Sequence, residues 1–381
     1  MGRRTLFAVA LLAALLFSRG HPESVPLGGD VAPARVLRDP FPTFNGIAID
    51  PENNLVVASD SNLKSVLVYE RSTRKRLRQI GGERTEIGFV AGVAVDPPAR
   101  EIYAVNNDIE DSLNIFSYHS AGNVKPVRRL SVPHQSWGIA LSPAREAFAV
   151  SVEVLNAVMI YRREASSVEP PLRVIRGPQA ELADPHGVYW DGGHHEIAVA
   201  NHGNFRGLAK NLGSGCMATS GTDSSRPGEL RPPSITIYPA SGDGDVKPLR
   251  KIEGPRTRLD WPMAMAFDPL HDEIVVANNG DSSILIFGRK DNGDVAPRRI
   301  IRGDATGIDH PMGVAIDGRQ GGFWVANFGG HSAIFFPTTA NGNVAPKAVI
   351  RNAPPGTPSN GFGNPMALAY DSKRREVLVP N

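Results

Sequence analysis

Small and hydrophobic residues alternate in short runs that return along the chain: Asn45-Gly46-Ile47-Ala48-Ile49-Asp50, Ala91-Gly92-Val93-Ala94-Val95-Asp96, Trp137-Gly138-Ile139-Ala140-Leu141-Ser142 and His186-Gly187-Val188-Tyr189-Trp190-Asp191. Three further copies begin at Met263, Met312 and Met366. A period of two predicts β-strands, and a return every 46–49 residues or so is close to the repeat of a four-stranded propeller blade. Most runs end in an Asp-Pro or Asp-Gly turn. A second strand then closes on Val105-Asn106, Ala200-Asn201, Ala277-Asn278, Ala326-Asn327 or Pro380-Asn381, with Ser59-Asp60 and Val150-Ser151 as variants.

A third strand such as Ser283-Ile284-Leu285-Ile286-Phe287 leads to the phrase Asn-Gly-Asp-Val-Ala-Pro-Arg-Arg-Ile-Ile-Arg at 292–302, whose copies begin at Gly29, Gly122, Ser167, Gly244 and Gly342. Proline lacks a ladder donor and charge discourages pairing, so the basic fourth strand is predicted at the rim. The Gly and Ala of the first strand suit a crowded axis. The whole predicts an all-β, seven-bladed β-propeller of four-stranded antiparallel blades. Its seventh blade is expected to be shared: residues 364–381 supply two inner strands, Gly29 to Arg38 the outermost, and a third strand falls near 20–25. Pairing of the two ends in one sheet would close the ring and remove its open edge.

The first twenty residues stand apart. Arg3 and Arg4 precede an apolar run from Leu6 to Phe17, and Ser18 and Gly20 suit a signal peptidase. Residues 1–20 are therefore predicted to be a cleaved signal peptide, and 21–381 a single propeller domain of a secreted or periplasmic monomer. The run is too short for a permanent span. Gly-Arg-Arg-Thr-Leu-Phe also fits a loose twin-arginine signal, so both export routes stay open. Cleavage would remove Arg3, Arg4 and Arg19, taking 41 basic residues to 38 against 39 acidic. So balanced a surface lacks the cationic field that nucleic acid or an anionic membrane requires. The lone Cys216 cannot form an intrachain disulfide and reads as a spare thiol.

The segments Ile102-Tyr103-Ala104-Val105-Asn106, Ile274-Val275-Val276-Ala277-Asn278 and Phe323-Trp324-Val325-Ala326-Asn327 each follow an Asp turn. In these the chain resembles the secreted propellers built from NHL-type and YVTN-type repeats, over nearly all of 29–381. The resemblance implies the fold and leaves function open, because similar propellers include lactonases, lyases and binding scaffolds.

Antiparallel strands place the loops leading into strand one and those leaving strand two at the same end of the propeller. Loops on a rigid scaffold are where binding residues concentrate. That mouth is expected to carry Asp60, Asn106, Ser151, Asn201, Asn278, Asn327 and Asn381, beside Asn45, Trp137, His186, Trp261, His310 and Asn364. Each has a structural alternative, since Asn bonds neighbouring backbone and His satisfies it. Blade four is unlike the others: between Asn201 and Ser234 runs the insertion 202–233, rich in Gly, Ser and Arg, expected as a lid or as a surface loop.

Binding of a small molecule or protein partner at this mouth is the leading expectation, with no specific reaction evident. Resemblance to gluconolactonase-type propellers would bring calcium, for which Asp60 is the lone carboxylate of the ring, and a lactonase-like hydrolase activity. Resemblance to streptogramin lyases would bring a His base with a nearby Glu and a divalent metal. His186, His310 and His331 are the available histidines, with Glu153 and Glu110 in other loops. No compact His/Glu motif is present, and a tightly held transition metal is not expected. His194 and His195 fall in a tight turn at the far end. The absence of nucleophile-elbow, phosphate-loop and Cys-x-x-Cys motifs argues against elbow-type serine hydrolase, nucleotide and thiol-redox functions.

Overall fold

The computed structural model describes residues 40–205 and 228–357, Lys373, and the strands Ala369–Asp371 and Glu376–Leu378. The expected signal peptide, the Gly29–Arg38 strand, Cys216, Asn364 and Asn381 lie outside the described residues.

Six four-stranded antiparallel sheets follow one another, each in meander order. Their innermost strands are Ile47–Asp50, Phe89–Asp96, Ser136–Leu141, Pro185–Asp191, Pro262–Asp268 and Pro311–Asp317. Their outermost are Arg76–Gly81, Arg128–Ser131, Arg173–Ile175, Arg250–Glu253, Arg299–Ile301 and Ala348–Arg351. Small residues go inside for a steric reason. A Cβ on Gly92 would lie 2.5 Å from the Trp137 carbonyl oxygen, and one on Gly138 the same distance from that of His186. The basic outer strands have a local use: Arg128, Arg250 and Arg299 each reach back to the Glu that opens the second strand of their own blade, Glu101, Glu196 and Glu273.

The recurring phrase fastens neighbouring blades. Gly122, Ser167, Gly244, Gly293 and Gly342 each bridge in parallel to the outer strand of the preceding blade, at Ile80, Leu130, Ile175, Ile252 and Ile301. The next residue caps the chain leaving that strand: Asn123 Oδ1 accepts from the Arg84 amide, Asp294 Oδ1 from Arg256 and Asn343 Oδ1 from Ala305.

The blade count differs from expectation. Seven inner-strand copies exist, but the described residues form six four-stranded blades, and the seventh copy gives a separate two-stranded sheet of Ala369–Asp371 with Glu376–Leu378. The reason lies at the seam between blade six and blade one. A Cβ on Gly313 would stand 2.8 Å from the Asn45 carbonyl oxygen, the same close approach that joins successive blades elsewhere. One apolar cluster contains Phe44, Val56, Leu67 and Tyr69 of the first blade with Trp324, Phe335 and Ile350 of the sixth. Arg71 Nη1 donates to both oxygens of Asp317, at 3.0 and 2.7 Å. Tyr69 donates its hydroxyl proton to Asn352. With these inner strands in contact there is no slot between them for a seventh sheet.

Candidate functional site

The register confirms which loops share an end. Pro185 pairs with Asn201, Pro262 with Asn278 and Pro311 with Asn327, while Asp191 pairs with Glu196 at the opposite end. The inner strands enclose a central cavity of about 410 Å³, lined from Asn45, Trp137, Met263 and Met312 at the mouth to Leu141 and Trp190 at the far end.

The asparagine ring assembles at the mouth, and its amides are engaged by the fold. Asn106, Asn201, Asn278 and Asn327 each accept, through Oδ1, the backbone amide 18 residues upstream: Gly88, Ala183, Asp260 and Asp309. Each Nδ2 also donates to a hydroxyl on the third strand, of Ser112, Thr236, Ser283 or Ser332. Ser151 accepts from the Gly138 amide and donates to the His186 carbonyl. Asp60 accepts from the amides of Thr43, Asn62 and Leu63 and from the Ser65 hydroxyl. Burial raises its pKa to about 6 in spite of those donors. Its oxygens are thus committed to a turn. Asn45 lines the cavity and accepts from Ser61.

The histidines separate. His310 is exposed and bound to Asp309 at 2.6 Å. His331 is buried, 3.1 Å from the Pro42 carbonyl oxygen at the blade-six seam. His194 pairs with Asp191 in the far turn, and Glu110 lies 3.7 Å from Arg129. His186 is different. The rings of Phe89, Trp137, His186, His202 and Trp261 form one continuous series of contacts from blade two to blade five. Trp137 lies 4.3 Å from His186, which stacks at 3.6 Å and 14° on His202, which stacks at 5.1 Å and 26° on Trp261. His202 was not singled out as a site residue from sequence. The signal for it was positional, since it directly follows Asn201 and so leaves strand two at the mouth.

Acidic groups surround the pair. His186 Nδ1 lies 3.1 Å from the Asp184 carbonyl oxygen, which can only accept, so Nδ1 carries the proton. The Nε2 lone pair then faces Glu153 Oε2 at 3.4 Å. Asp184 also places its carboxylate 3.5 Å from His186 Nδ1 and 3.8 Å from His202 Nδ1, and Asn204 donates to its Oδ2 at 2.8 Å. Burial lowers the pKa of His186, with Asp184 opposing; burial, and then His186, lowers that of His202 strongly. Both rings are therefore neutral at pH 7. His202 Nε2 is buried with no hydrogen-bond partner among the described residues.

Two backbone details frame this arc. Asp184 and Trp261, which hold equivalent positions ahead of strand one, have φ of 57° and 48°. Asp tolerates the left-handed region, whereas a bulky ring there is uncommon; Trp261 is nonetheless 43% exposed. The insertion begins and ends in a short ribbon, Asn204–Phe205 with Glu229–Leu230, and the Arg231 guanidinium lies 3.6 Å from the Phe205 ring centre. A side cavity of about 320 Å³ between this ribbon and blade three is lined by Glu153, Asp184, Asn204, Phe205 and Glu229.

Two solved structures share the architecture. Kuenenia stuttgartiensis hydrazine synthase is 14% identical, covering 78% of this chain and 84% of that one with a TM-score of 0.50. A structure of the nidogen/laminin complex is 12% identical, covering 78% and 92% with a TM-score of 0.52. At such identities the likeness shows the propeller fold alone. No family model and no curated protein matches the chain.

Proposed function

We propose that this propeller binds a small planar molecule at its loop-rich mouth, against the arc of Trp137, His186, His202 and Trp261. The observation that carries this reading is Trp261: a large ring left exposed at the mouth, stacked on the buried imidazole of His202 and two residues before Met263, which lines the cavity of about 410 Å³. Volumes of roughly 300–1,000 Å³ are those of small-molecule pockets. Aromatic faces supply stacking surface, while the Asp184 and Glu153 carboxylates supply orientation.

On its repeat cadence we place the chain among the NHL-type and YVTN-type propellers, exported by the leader 1–20 to the periplasm or beyond. A protein partner is the second reading. It is favoured by Leu63, Ile109 and Trp261, exposed hydrophobic side chains on mouth loops, and by the similar chain's having been solved in a nidogen/laminin complex. Lactonase-like or lyase-like chemistry is the further alternative, with His186 and Glu153 as its acid–base pair.

Saturation-transfer NMR with a panel of planar heteroaromatic fragments on the chelator-treated protein tests the leading reading. Transfer that disappears in both Trp137→Ala and Trp261→Ala supports it; equal transfer in the wild type and both variants refutes it.

A further inference from the structure

We infer that the mouth of blade four holds a divalent first-row transition metal ion, with His186, His202 and Asp184 as ligands and Glu153 beside them. One nitrogen from each ring and one oxygen of Asp184 lie within 4.8 Å of one another. Two imidazoles and a carboxylate are the donor set of zinc and of non-haem iron sites. Calcium and magnesium prefer oxygen alone.

Three features of the site call for a cation here. His186 Nε2 lies 3.4 Å from Glu153 Oε2, which brings a second carboxylate beside the three ligands. His202 Nε2 is buried and without a hydrogen-bond partner among the described residues, and an unpaired buried polar atom is costly. Asn204 holds Asp184 Oδ2 at 2.8 Å, as outer partners orient ligating carboxylates. The adjoining side cavity is lined by Glu153, Asp184 and Glu229 and by no basic side chain among the described residues.

The two ring planes are only 14° from parallel, and a metal must lie near the plane of every imidazole that binds it. One ring must therefore turn about its Cβ–Cγ bond, a broad and soft torsion, and the stack opens when the ion enters. The inference goes beyond the small-molecule reading and does not depend on it, because the ion needs no organic ligand.

The test is calorimetric titration of the chelator-treated full chain with zinc chloride, alongside visible absorption with cobalt chloride. The expected result is one zinc per chain and a cobalt d–d band from mixed nitrogen and oxygen ligands. Asp184→Asn and His202→Gln should each weaken zinc binding by about 100-fold and abolish the band, with far-UV circular dichroism unchanged. His194→Gln, at the other end, should bind as the wild type does. Absence of saturable zinc binding in the wild type would overturn the inference, as would unchanged affinity in both variants. Binding of calcium in preference to zinc would overturn the nitrogen ligands. The titration contains no aromatic fragment and the NMR experiment no metal, so either reading can fail alone.

Discussion

The imidazole of His202 lies flat on that of His186, 3.6 Å between ring centres, and each is shielded on its outer face by a tryptophan, Trp261 and Trp137. Protonating either ring would set a charge against its neighbour in a site from which water is largely excluded. Both have pKa values below the ordinary histidine value, while the unfolded chain keeps that value. Below about pH 6.5 the unfolded state therefore takes up protons that the folded state refuses, and stability falls as pH falls. Urea unfolding between pH 5 and 8 should show this slope, and His202→Gln should reduce it. Asp184, whose carbonyl and carboxylate both face His186 Nδ1, opposes the shift of that ring.

The asparagine latches should matter for stability and not for binding. Asn278→Ala removes the acceptor of the Asp260 amide and the donor to Ser283. Loss of about 1–3 kcal/mol is expected from the stranded groups, measured by denaturant unfolding. Fragment binding at the mouth should be unchanged once the protein is folded.

Asp60 stands where four other blades carry Asn, and its pKa is raised from 3.8 to about 6 by burial. The folded state holds its proton through a range where the unfolded state has lost it. This contribution to stability is full below pH 4 and is lost as pH rises through 6. Between pH 4 and 7, the stability of Asp60→Asn relative to wild type should rise by about 2 kcal/mol. Paired urea curves at the two pH values read this difference directly.

The blade-six seam rests on a buried pair. Asp317 is fully buried and Arg71 nearly so. Arg71→Met leaves the carboxylate with the Gln320 amide and the Trp324 indole. A cost of about 3–5 kcal/mol is expected, seen as a lower melting temperature. The double variant Arg71→Met/Asp317→Asn should recover part of it.

Strand identity and the order from axis to rim were legible in the chain, because Gly92 and Gly138 are required by backbone contact and the outer strands carry the arginines that reach back to Glu101, Glu196 and Glu273. The number of blades was not. A repeat shows that units are alike, whereas the count around the axis depends on which inner strands abut, and Gly313 against Asn45 is a contact between distant repeats. The asparagines that close strand two were legible from the repeat, whereas their bonds to the amide 18 residues upstream, which commit them to the fold, were not. A feature repeated in four of the six described blades serves the fold, and a ligand site breaks that symmetry. Blade four breaks it with His186, His202 and Asp184, and His202 was obscured by standing first in the insertion.

A crystallographic fragment screen on the protein tests the central claim most directly. Planar fragments should gather at the mouth, on the exposed side of Trp261 or against Trp137 at the rim of the cavity. Fragments that collect at the far turns around His194, with none at the mouth, would contradict it.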